Sequence, residues 1–304
     1  MDQFPRVILG GDTFSDVFRA LYDLRMYWNL TDPDYCVKVM HAAYEGGCRA
    51  FDFSFPNVQD MFLKFRNSVD EPVYGVANPT WLQGCKLSGV PLQYCRNRII
   101  KTYTEIPGFV PVETAELVRD HLSKDSCMVF GYDPAEKPLS AREITSICLD
   151  EDAYQKRLDE IGESKYVLIG GTDADWLFTL HREDLIARMA QIVRSRGQIP
   201  ALICHYSSLV LPRADEMGLD VDAYFAPINK AWAWFDQASA ATAVRQAKKP
   251  VIAFMAFACG GLTSSMRESA EYLRDKCGVH GILYGTTKPV NALATAEMLS
   301  EVFA

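Results

Sequence analysis

The sequence predicts an α/β protein of the (β/α)8 TIM-barrel class. Short apolar runs alternate with amphipathic helical segments to a count of about eight, which is the pattern of a parallel barrel. Several of these runs end abruptly in polar residues, as strands do at the carboxyl rim of such a barrel. A length of 304 residues suits a single barrel domain spanning residues 1–304, with an open doubly wound sheet as the weaker alternative.

The segment 197–229 carries this pattern most clearly. An apolar strand at 201–203 leads directly into Cys204, His205, Tyr206 and Ser207, and a short amphipathic helix follows. The next strand, 224–228, ends in Asn229 and Lys230. If the two strands are neighbours in the barrel, their polar ends face one pocket, and the functional site is expected there.

The other elements follow the same logic, each strand bounded by glycine or polar residues and each helix by caps. Asp32 is a predicted N-cap and Pro33 lies in the first turn of its helix. The remaining predicted strands are 6–11, 49–54, 73–77, 165–173 with Thr172 and Asp173 at its end, 250–257 and 281–285. The predicted helices are 35–46, 59–67, 139–162 with a break near Asp150, one ending at 197, 236–247 and 289–302.

Residues 80–138 interrupt the alternation and are predicted to form an insertion that lids the barrel. They hold two strand-like runs, 98–105 and 127–133, around a helix near 113–123. Loops of this length are usually functional or carry structure of their own. Whether 73–77, 98–105 or 127–133 is the third barrel strand stays open at this stage.

Composition and charge limit the partners. Hydrophobic residues make up 49% of the chain and charged residues 23%, as in a globular protein with a large core. The net charge of −8 argues against nucleic acid or an anionic membrane, because both require a basic face. The expected partner is therefore a small-molecule substrate, while the oligomeric state is left open.

The N-terminal sequence and the cysteines indicate the compartment. Residues 1–6 contain neither a basic region nor a long apolar run, so we expect no signal peptide and a cytoplasmic location. Nine cysteines without a C-x-x-C pair fit reduced, mostly buried thiols. No helical H-x-x-x-H pair occurs either, so a metal site is not expected.

The leading candidate for chemistry is His205, which ends a buried strand and has the side chain best suited to act as acid or base near neutral pH. Asp12, Asp52 and Asp173 end three other strands, the dispersed arrangement that barrel active sites use. Any of them could serve His205 as a partner or bind substrate, although helix capping is favoured for Asp173. Cys204 is a poor nucleophile partner for His205, since neighbours on a strand point to opposite faces.

The insertion offers further candidates. Lys101, Tyr103 and Glu105 alternate along a strand-like run, and Tyr132 follows the next run. If the insertion covers the mouth, Lys101, Glu105 or Tyr132 could act in catalysis; the alternative is a solvated ribbon. Trp232, after the sixth strand, either walls a substrate pocket or packs under the following helix.

Several motifs resemble those of the aldo/keto reductases, which are (β/α)8 barrels that bind NADP(H). Residues 51–54 (FDFS) resemble that family's second-strand motif, and 202–207 (LICHYS) its strand end "GVSNFS". Residues 218–224 (GLDVDAY), 251–260 (VIAFMAFACG) and 285–289 (GTTKP) resemble its later motifs. The likeness covers about residues 6–76 and 139–303, leaves out the insertion, and implies a barrel with an NADP(H) site.

The reductase chemistry of that family uses an aspartate, a tyrosine, a lysine and a histidine. Asp52 stands at the aspartate position, whereas Asn57, Asn78 and Gly170 occupy the tyrosine, lysine and histidine positions. Proton transfer by a placed side chain is worth on the order of 10²–10⁴ in rate, so ordinary carbonyl reduction would be badly weakened. Asn78 is then a candidate substrate ligand, with Asp12, Asp173, Asn229, Lys230 and Trp232.

The positions that bind the cofactor in that family match this sequence better than the catalytic positions do. Phe254 replaces the stacking tyrosine and could still stack, while His205 and Phe225 replace the family's amide-bearing residues. The loops after the last two strands have glycines, hydroxyls and a lysine that suit a phosphate next to helix N-termini. The residues expected there are Gly260, Gly261, Gly285, Thr286, Thr287 and Lys288; the alternative is that these are ordinary turns and caps.

The sequence thus supports three hypotheses. The first is an enzyme of lyase, isomerase or hydrolase type, in which His205 is the acid or base and Asp52 is its electrostatic partner or a substrate ligand. Its substrate would be a small polar metabolite, with or without a phosphate group. The second is a divergent NADPH-dependent oxidoreductase that takes a tyrosine from the insertion. The third is a ligand-binding pseudoenzyme.

Overall fold

The fold is described from a computed structural model of residues 4–15, 32–79, 84–106, 135–231 and 237–304. Eight parallel strands form a closed barrel within these residues, so the predicted (β/α)8 class is confirmed. The described strands are β1 (Val7–Leu9), β2 (Ala50–Asp52), β3 (Tyr74–Ala77), β4 (Cys85–Leu87), β5 (Val90–Pro91), β6 (Cys148–Leu149), β7 (Ser164–Gly170), β8 (Ile199–Ile203), β9 (Tyr224–Pro227), β10 (Val251–Phe254) and β11 (Gly281–Tyr284).

The barrel order is β1–β11–β10–β9–β8–β7–β3–β2, and the order closes because β1 also pairs with β2. The third barrel strand is therefore β3, the first of the three runs considered. β8 lies four places from β1 in either direction around the eight strands, so the two strands face each other across the barrel. Side chains that follow β1 and β8 accordingly enter the mouth from opposite sides.

The helices surround the barrel, and their ends follow the capping residues. Asp32 caps the first described helix by accepting a hydrogen bond from the Asp34 amide, as predicted. Asp150 accepts from the Ala153 amide, which explains the break in the 139–162 region. The helices are α1 (Pro33–Glu45), α2 (Pro56–Arg66), α3 (Arg96–Glu105), α4 (Ala141–Ser146), α5 (Glu151–Glu160), α6 (Thr172–Thr179), α7 (Glu183–Ser195), α8 (Ser207–Glu216), α9 (Gln237–Gln246), α10 (Met266–Cys277) and α11 (Pro289–Val302).

The apolar core has two layers. The inner layer fills the barrel with side chains that alternate with those facing the helices, among them Ile8, Tyr166 and Phe225. The outer layer lies between the strands and the helices. Phe4 closes the amino end of the barrel, with its ring centroid 4.4 Å from that of Tyr166. The carboxyl end is therefore the end at which a functional site is sought.

The segment between β3 and β7 departs from the sequence prediction. Residues 98–105, expected as a strand, belong to helix α3. Ile99, Ile100 and Tyr103 are buried at the spacing of one helical face, so packing overrides the strand-like alternation. The runs at 113–123 and 127–133 lie outside the described residues.

A small sheet accompanies this segment. β4 pairs antiparallel with both β5 and β6, which gives the strand order β5–β4–β6, separate from the barrel. The Cys85 amide donates to Asp173 Oδ2 over 2.7 Å, and Asp173 lies just after β7. The sheet is thus attached at the carboxyl end of the barrel. Within the described part of the chain, no helix is long and apolar enough to cross a membrane.

Candidate functional site

A carboxylate and a histidine form a hydrogen-bonded pair at the mouth of the barrel. The Nδ1 atom of His205 lies 2.8 Å from Asp175 Oδ2. The other carboxylate oxygen of Asp175 accepts the backbone N–H groups of His205 at 2.8 Å and Tyr206 at 3.0 Å. The Asp175 side chain is only 3% exposed, so this three-bond contact is shielded from water. It fixes both the position of the loop after β8 and the orientation of the imidazole.

Local backbone geometry brings Asp175 to His205. β7 ends at Gly170 and Gly171, whose φ angles are +101° and +66°, and helix α6 begins immediately afterwards. The Gly171 amide donates to the Ile203 carbonyl over 2.7 Å, which joins this turn to the end of β8. The first turn of α6 therefore delivers Asp175 to the start of the loop that holds His205.

The orientation of His205 determines what its ring can do. Because Nδ1 is bonded to a carboxylate, it carries the ring hydrogen, and Nε2 holds the lone pair in the neutral ring. The ring also contacts Phe254 edge to face, with centroids 5.8 Å apart. The His205 side chain is 17% exposed, so it retains access to the mouth. This is the arrangement of an oriented general base.

Two more carboxylates lie at the mouth, after the neighbouring strands β1 and β2. Asp52 is buried and accepts three hydrogen bonds: from the Gly11 amide at 3.2 Å, and from the Ser54 amide and hydroxyl at 3.0 and 2.6 Å. Burial raises the pKa of Asp52, and these hydrogen bonds oppose the rise. A Cβ on Gly11 would lie 2.2 Å from the Asp52 carbonyl oxygen, so only glycine permits this close approach.

Asp12 differs from Asp52 in its surroundings. It lies in a short 3-10 turn after β1, and the residue as a whole is exposed. Protein atoms nevertheless surround its carboxyl group closely enough to desolvate it in part. Desolvation raises the pKa of Asp12 to about 7, repulsion from Asp52 adds to the rise, and the charge of His205 opposes it. Asp12 is therefore near enough to both Asp52 and His205 for their charges to interact.

Asp173 has a different role from the helix cap that was favoured for it, and that prediction is wrong. Gly171 is the N-cap of α6, and no side chain makes the capping hydrogen bond. Asp173 instead binds the Cys85 amide, and the carboxylate lies so close to Gly84 that a Cβ there would be 1.6 Å from Oδ2. Burial raises the pKa of Asp173 to about 7. A role in binding substrate stays a prediction.

The predicted ligands after β3 and β9 hold loops together. The Asn78 amide donates to the Ser54 hydroxyl over 2.9 Å. Asn229 is fully buried, donates to the Met255 carbonyl at 3.2 Å and accepts from the Ala231 amide at 2.9 Å. Lys230 is exposed and forms an ion pair with Glu268 on α10. The contacts of Asn229 and Lys230 are made by their side chains, whereas that of Asn78 is made by its backbone. Substrate binding by the three residues stays a prediction.

The candidates from the insertion are not arranged along a strand. Lys101 lies on α3, is buried, and donates to the Glu136 carbonyl over 2.7 Å. Glu105 ends the same helix and is exposed. The structural premise for their shared catalytic role, alternation on one strand face, is therefore wrong. Tyr132 and Trp232 lie outside the described residues.

The two loops whose glycines, hydroxyls and lysine suit a phosphate also lie at this end of the barrel. Ala258, Cys259 and Gly260 have φ angles of +51°, +51° and +97°, and helix α10 begins shortly afterwards. The loop after β11 is joined to the loop after β1, because the Thr13 hydroxyl donates to the Thr286 carbonyl over 3.3 Å. Exposed residues of the two loops are Gly260, Gly261, Gly285 and Lys288, whereas Thr286 and Thr287 are half-buried.

The residues that would serve NADPH-dependent reduction do not fit that chemistry. The family's histidine position is Gly170, where a Cβ would lie 2.5 Å from Ala174 Cβ and 3.0 Å from the Ile203 carbonyl oxygen. At the tyrosine position, Asn57 donates to the Phe14 carbonyl over 2.9 Å. No lysine or arginine forms an ion pair with Asp52 among the described residues. The residues at positions 57 and 170 therefore cannot supply the tyrosine and histidine groups that the resemblance implies.

The described residues offer no set of metal ligands either. Across residues 4–15, 32–79, 84–106, 135–231 and 237–304, no group of three or more His, Cys, Asp or Glu side chains could hold a metal ion. The thiol of Cys204 is fully buried, and burial raises its pKa well above the ordinary value. A thiolate nucleophile at this position is therefore disfavoured.

The fold of this chain is similar to that of known barrel structures. Two solved structures from Pseudomonas aeruginosa, both assigned as aldo-keto reductases, superpose on this chain with TM-scores of 0.52 and 0.54. The chain shares the (β/α)8 barrel fold of these two structures. Sequence identities are 12% and 14%, and each alignment covers 98% of this chain and 90% of the other. At these identities the likeness is one of fold. No protein-family model and no curated protein matches the chain.

Asp175 is the residue that the sequence reasoning missed. It lies five residues after the end of β7, and its partner His205 is 30 residues further along the chain. The available signal was the run 170–175 (GGTDAD), in which two acids follow a strand that precedes the His205 strand. Register pairs Gly170 of β7 with Ile203 of β8, so residues after these strands meet at one rim.

Proposed function

We propose that this protein is an enzyme of acid–base chemistry on an aldo-keto reductase-like barrel, with a small polar metabolite as substrate. The observation that carries the proposal is the hydrogen bond between Asp175 and His205 Nδ1 at the mouth. An imidazole held this way presents Nε2 as a base, and the carboxylate stabilises the imidazolium that forms when it takes a proton. Asp12 and Asp52 supply acidic partners at the same mouth.

The chemistry fits proton abstraction next to a carbonyl group. His205 takes the proton from carbon, the electron pair passes to the carbonyl oxygen, and return of a proton completes an isomerase or lyase reaction. No oxidant or reductant takes part. Exclusion of a histidine at position 170 supports this class over carbonyl reduction, since reduction needs a proton donor close to the carbonyl oxygen.

The test is hydrogen exchange with solvent. The protein is incubated in D2O with glyceraldehyde, dihydroxyacetone, ribose, glucose, mannose, fructose and pyruvate, and loss of C–H signals is followed by proton NMR. We expect exchange on at least one of them, reduced on the order of 10²–10⁴-fold in His205→Gln. His280→Gln, the same change at the exposed amino end of β11, is the matched control.

Two results would count against the proposal. Exchange that survives in His205→Gln would show that the histidine is not the base. Oxidation of NADPH with simple aldehydes at ordinary enzyme rates would show that the barrel still performs reduction.

The second candidate is an NADPH-dependent oxidoreductase, favoured by the left-handed turn at 258–260 before α10 and by the half-buried residues beside Lys288. Backbone N–H groups in such turns suit a phosphate. Fluorescence titration with NADPH separates the two candidates. Tight binding that Lys288→Ala weakens, and that Lys38→Ala on the exposed face of α1 does not, would favour the oxidoreductase.

A further inference from the structure

The carboxylates of Asp12 and Asp52 form an unequal pair. β1 and β2 run side by side with Leu9 opposite Phe51, so the residues after these strands lie at one level of the rim. The Gly11 amide binds Asp52 Oδ2, and Asp12 is the next residue along the chain. The two negative charges repel each other, which raises the pKa of Asp12 and makes it costly for both carboxylates to ionise.

The two carboxylates differ in the hydrogen bonds that support their charged forms. Asp52 is 6% exposed and accepts three hydrogen bonds, all of which favour its charged form. Ser54 is itself held in place by two hydrogen bonds. Its hydroxyl accepts the backbone N–H of Asn78, and its carbonyl accepts Arg157 Nη2 at 2.6 Å. The Asp12 carboxylate accepts no hydrogen bond from any other described residue. Asp12, which lacks this support and has a pKa raised to about 7, is therefore the carboxylate that we expect to hold a proton near neutral pH.

The position of Asp12 relative to His205 would allow its proton to reach a bound substrate. Asp12 follows β1 and His205 follows β8, the strands on opposite sides of the mouth. Asp12 is open to solvent, so it can recover a proton from water after giving one away. A small molecule held between the two residues would face a base on one side and a carboxylic acid on the other.

We propose that Asp12 is a second catalytic residue, which donates a proton to the substrate from the side of the mouth opposite His205. This inference rests on the proposed function. His205 Nε2 takes a proton as one C–H bond breaks, and the electron pair is held on the neighbouring carbonyl oxygen. Asp12 then gives its O–H proton to the opposite face and becomes a carboxylate. One proton is removed and one returned, so the substrate is neither oxidised nor reduced.

The first test needs no substrate. Aspartate carboxyl groups are labelled with carbon-13, and their NMR shifts are followed with pH in the wild-type protein, Asp12→Asn and Asp52→Asn. The charged groups that act on Asp12 are Asp52 and His205. We expect a carboxyl signal with a midpoint near 7, which disappears in Asp12→Asn and moves to lower pH in Asp52→Asn because the repulsion is removed.

Two outcomes of the titration would overturn the inference. One is a signal that disappears in Asp52→Asn and persists in Asp12→Asn. The other is an Asp12 carboxyl that titrates at the ordinary value of 3.8.

The second test uses a carbonyl compound that exchanges in D2O. Asp12→Asn should lower kcat for product formation on the order of 10²–10⁴-fold with little change in KM, while exchange by His205 continues. Asp12→Glu should recover part of kcat. Equal turnover in Asp12→Asn and wild type would overturn the inference and leave the role of His205 intact. Exchange that survives in His205→Gln would overturn the proposed function and leave the carboxyl assignment intact.

Discussion

Replacing Asp175 with asparagine should reverse the tautomer of His205. The amide oxygen of the new side chain can still accept the backbone N–H groups that Asp175 Oδ1 accepts at 2.8 and 3.0 Å. The amide nitrogen then faces His205 Nδ1, where it can only donate, so the ring hydrogen moves to Nε2. Nε2 loses its lone pair for catalysis, and the exchange rate should fall on the order of 10²–10⁴-fold.

The cost in stability should be small. Two backbone hydrogen bonds to a carboxylate become bonds to a neutral amide, which weakens each by about 1 kcal/mol. We therefore expect the free energy of unfolding to fall by about 2 kcal/mol, and the variant to stay folded. Loss of activity in this variant would then reflect the ring and not the fold.

Nitrogen-15 NMR of histidine-labelled protein measures the tautomer directly. His205→Gln assigns the signal, and Asp173→Asn, the same change two residues earlier on α6, serves as the control. Wild type and Asp173→Asn should show a protonated Nδ1, whereas Asp175→Asn should show a protonated Nε2. A folded Asp175→Asn variant with the wild-type pattern would refute the role assigned to this carboxylate.

Three other side-chain environments give measurable outcomes. Burial raises the pKa of Asp173 from 3.8 to about 7. The protonated Asp173 therefore contributes fully to the free energy of unfolding below pH 3.8, and this contribution is lost as the pH rises through 7. In Asp173→Asn, the free energies of unfolding measured with urea at about pH 5 and about pH 8 should differ less than in the wild type. Gly170→Ala should lower the free energy of unfolding by roughly 2–5 kcal/mol, because φ is +101° and the new Cβ would lie 2.5 Å from a neighbouring one; an unchanged urea midpoint would contradict this. Iodoacetamide labelling read by mass spectrometry should modify exposed Cys148 and Cys259 and spare buried Cys204 in the native protein.

The barrel was predictable from the sequence because most of its strands carry a clear pattern, although the third strand stayed open among three runs. Each buried strand is a short apolar run that ends in a change to polar residues, as at Ile203 to His205. The run at 98–105 failed for a physical reason: isoleucine, threonine and tyrosine favour strands, and their alternation with polar residues imitates one. Contacts of Ile99 and Ile100 with the rest of the molecule decide for a helix, and these contacts depend on the fold.

The site was predictable only in part. Asp12, Asp52 and His205 each follow a strand, so the barrel rule alone brings them to the mouth. Asp175 sits in the first turn of a helix, and its contact with His205 depends on the turn made by Gly170 and Gly171. The hydrogen bonds that distinguish Asp52 from Asp12 depend on distances of a few tenths of an ångström, which no sequence pattern specifies.

The order of the strands along the chain also divides the proposed catalytic side chains between an N-terminal and a C-terminal segment. The carboxylate pair comes from β1 and β2, whereas His205 and its orienting partner come after β7. A single cut between Asn78 and Ser164 would leave the carboxylate pair on one fragment and His205 with Asp175 on the other. Each fragment would have two unpaired edge strands, because β1 pairs with β11 and β3 pairs with β7 in the intact barrel. Such fragments would form a complementation pair, and recovered turnover would report their reunion.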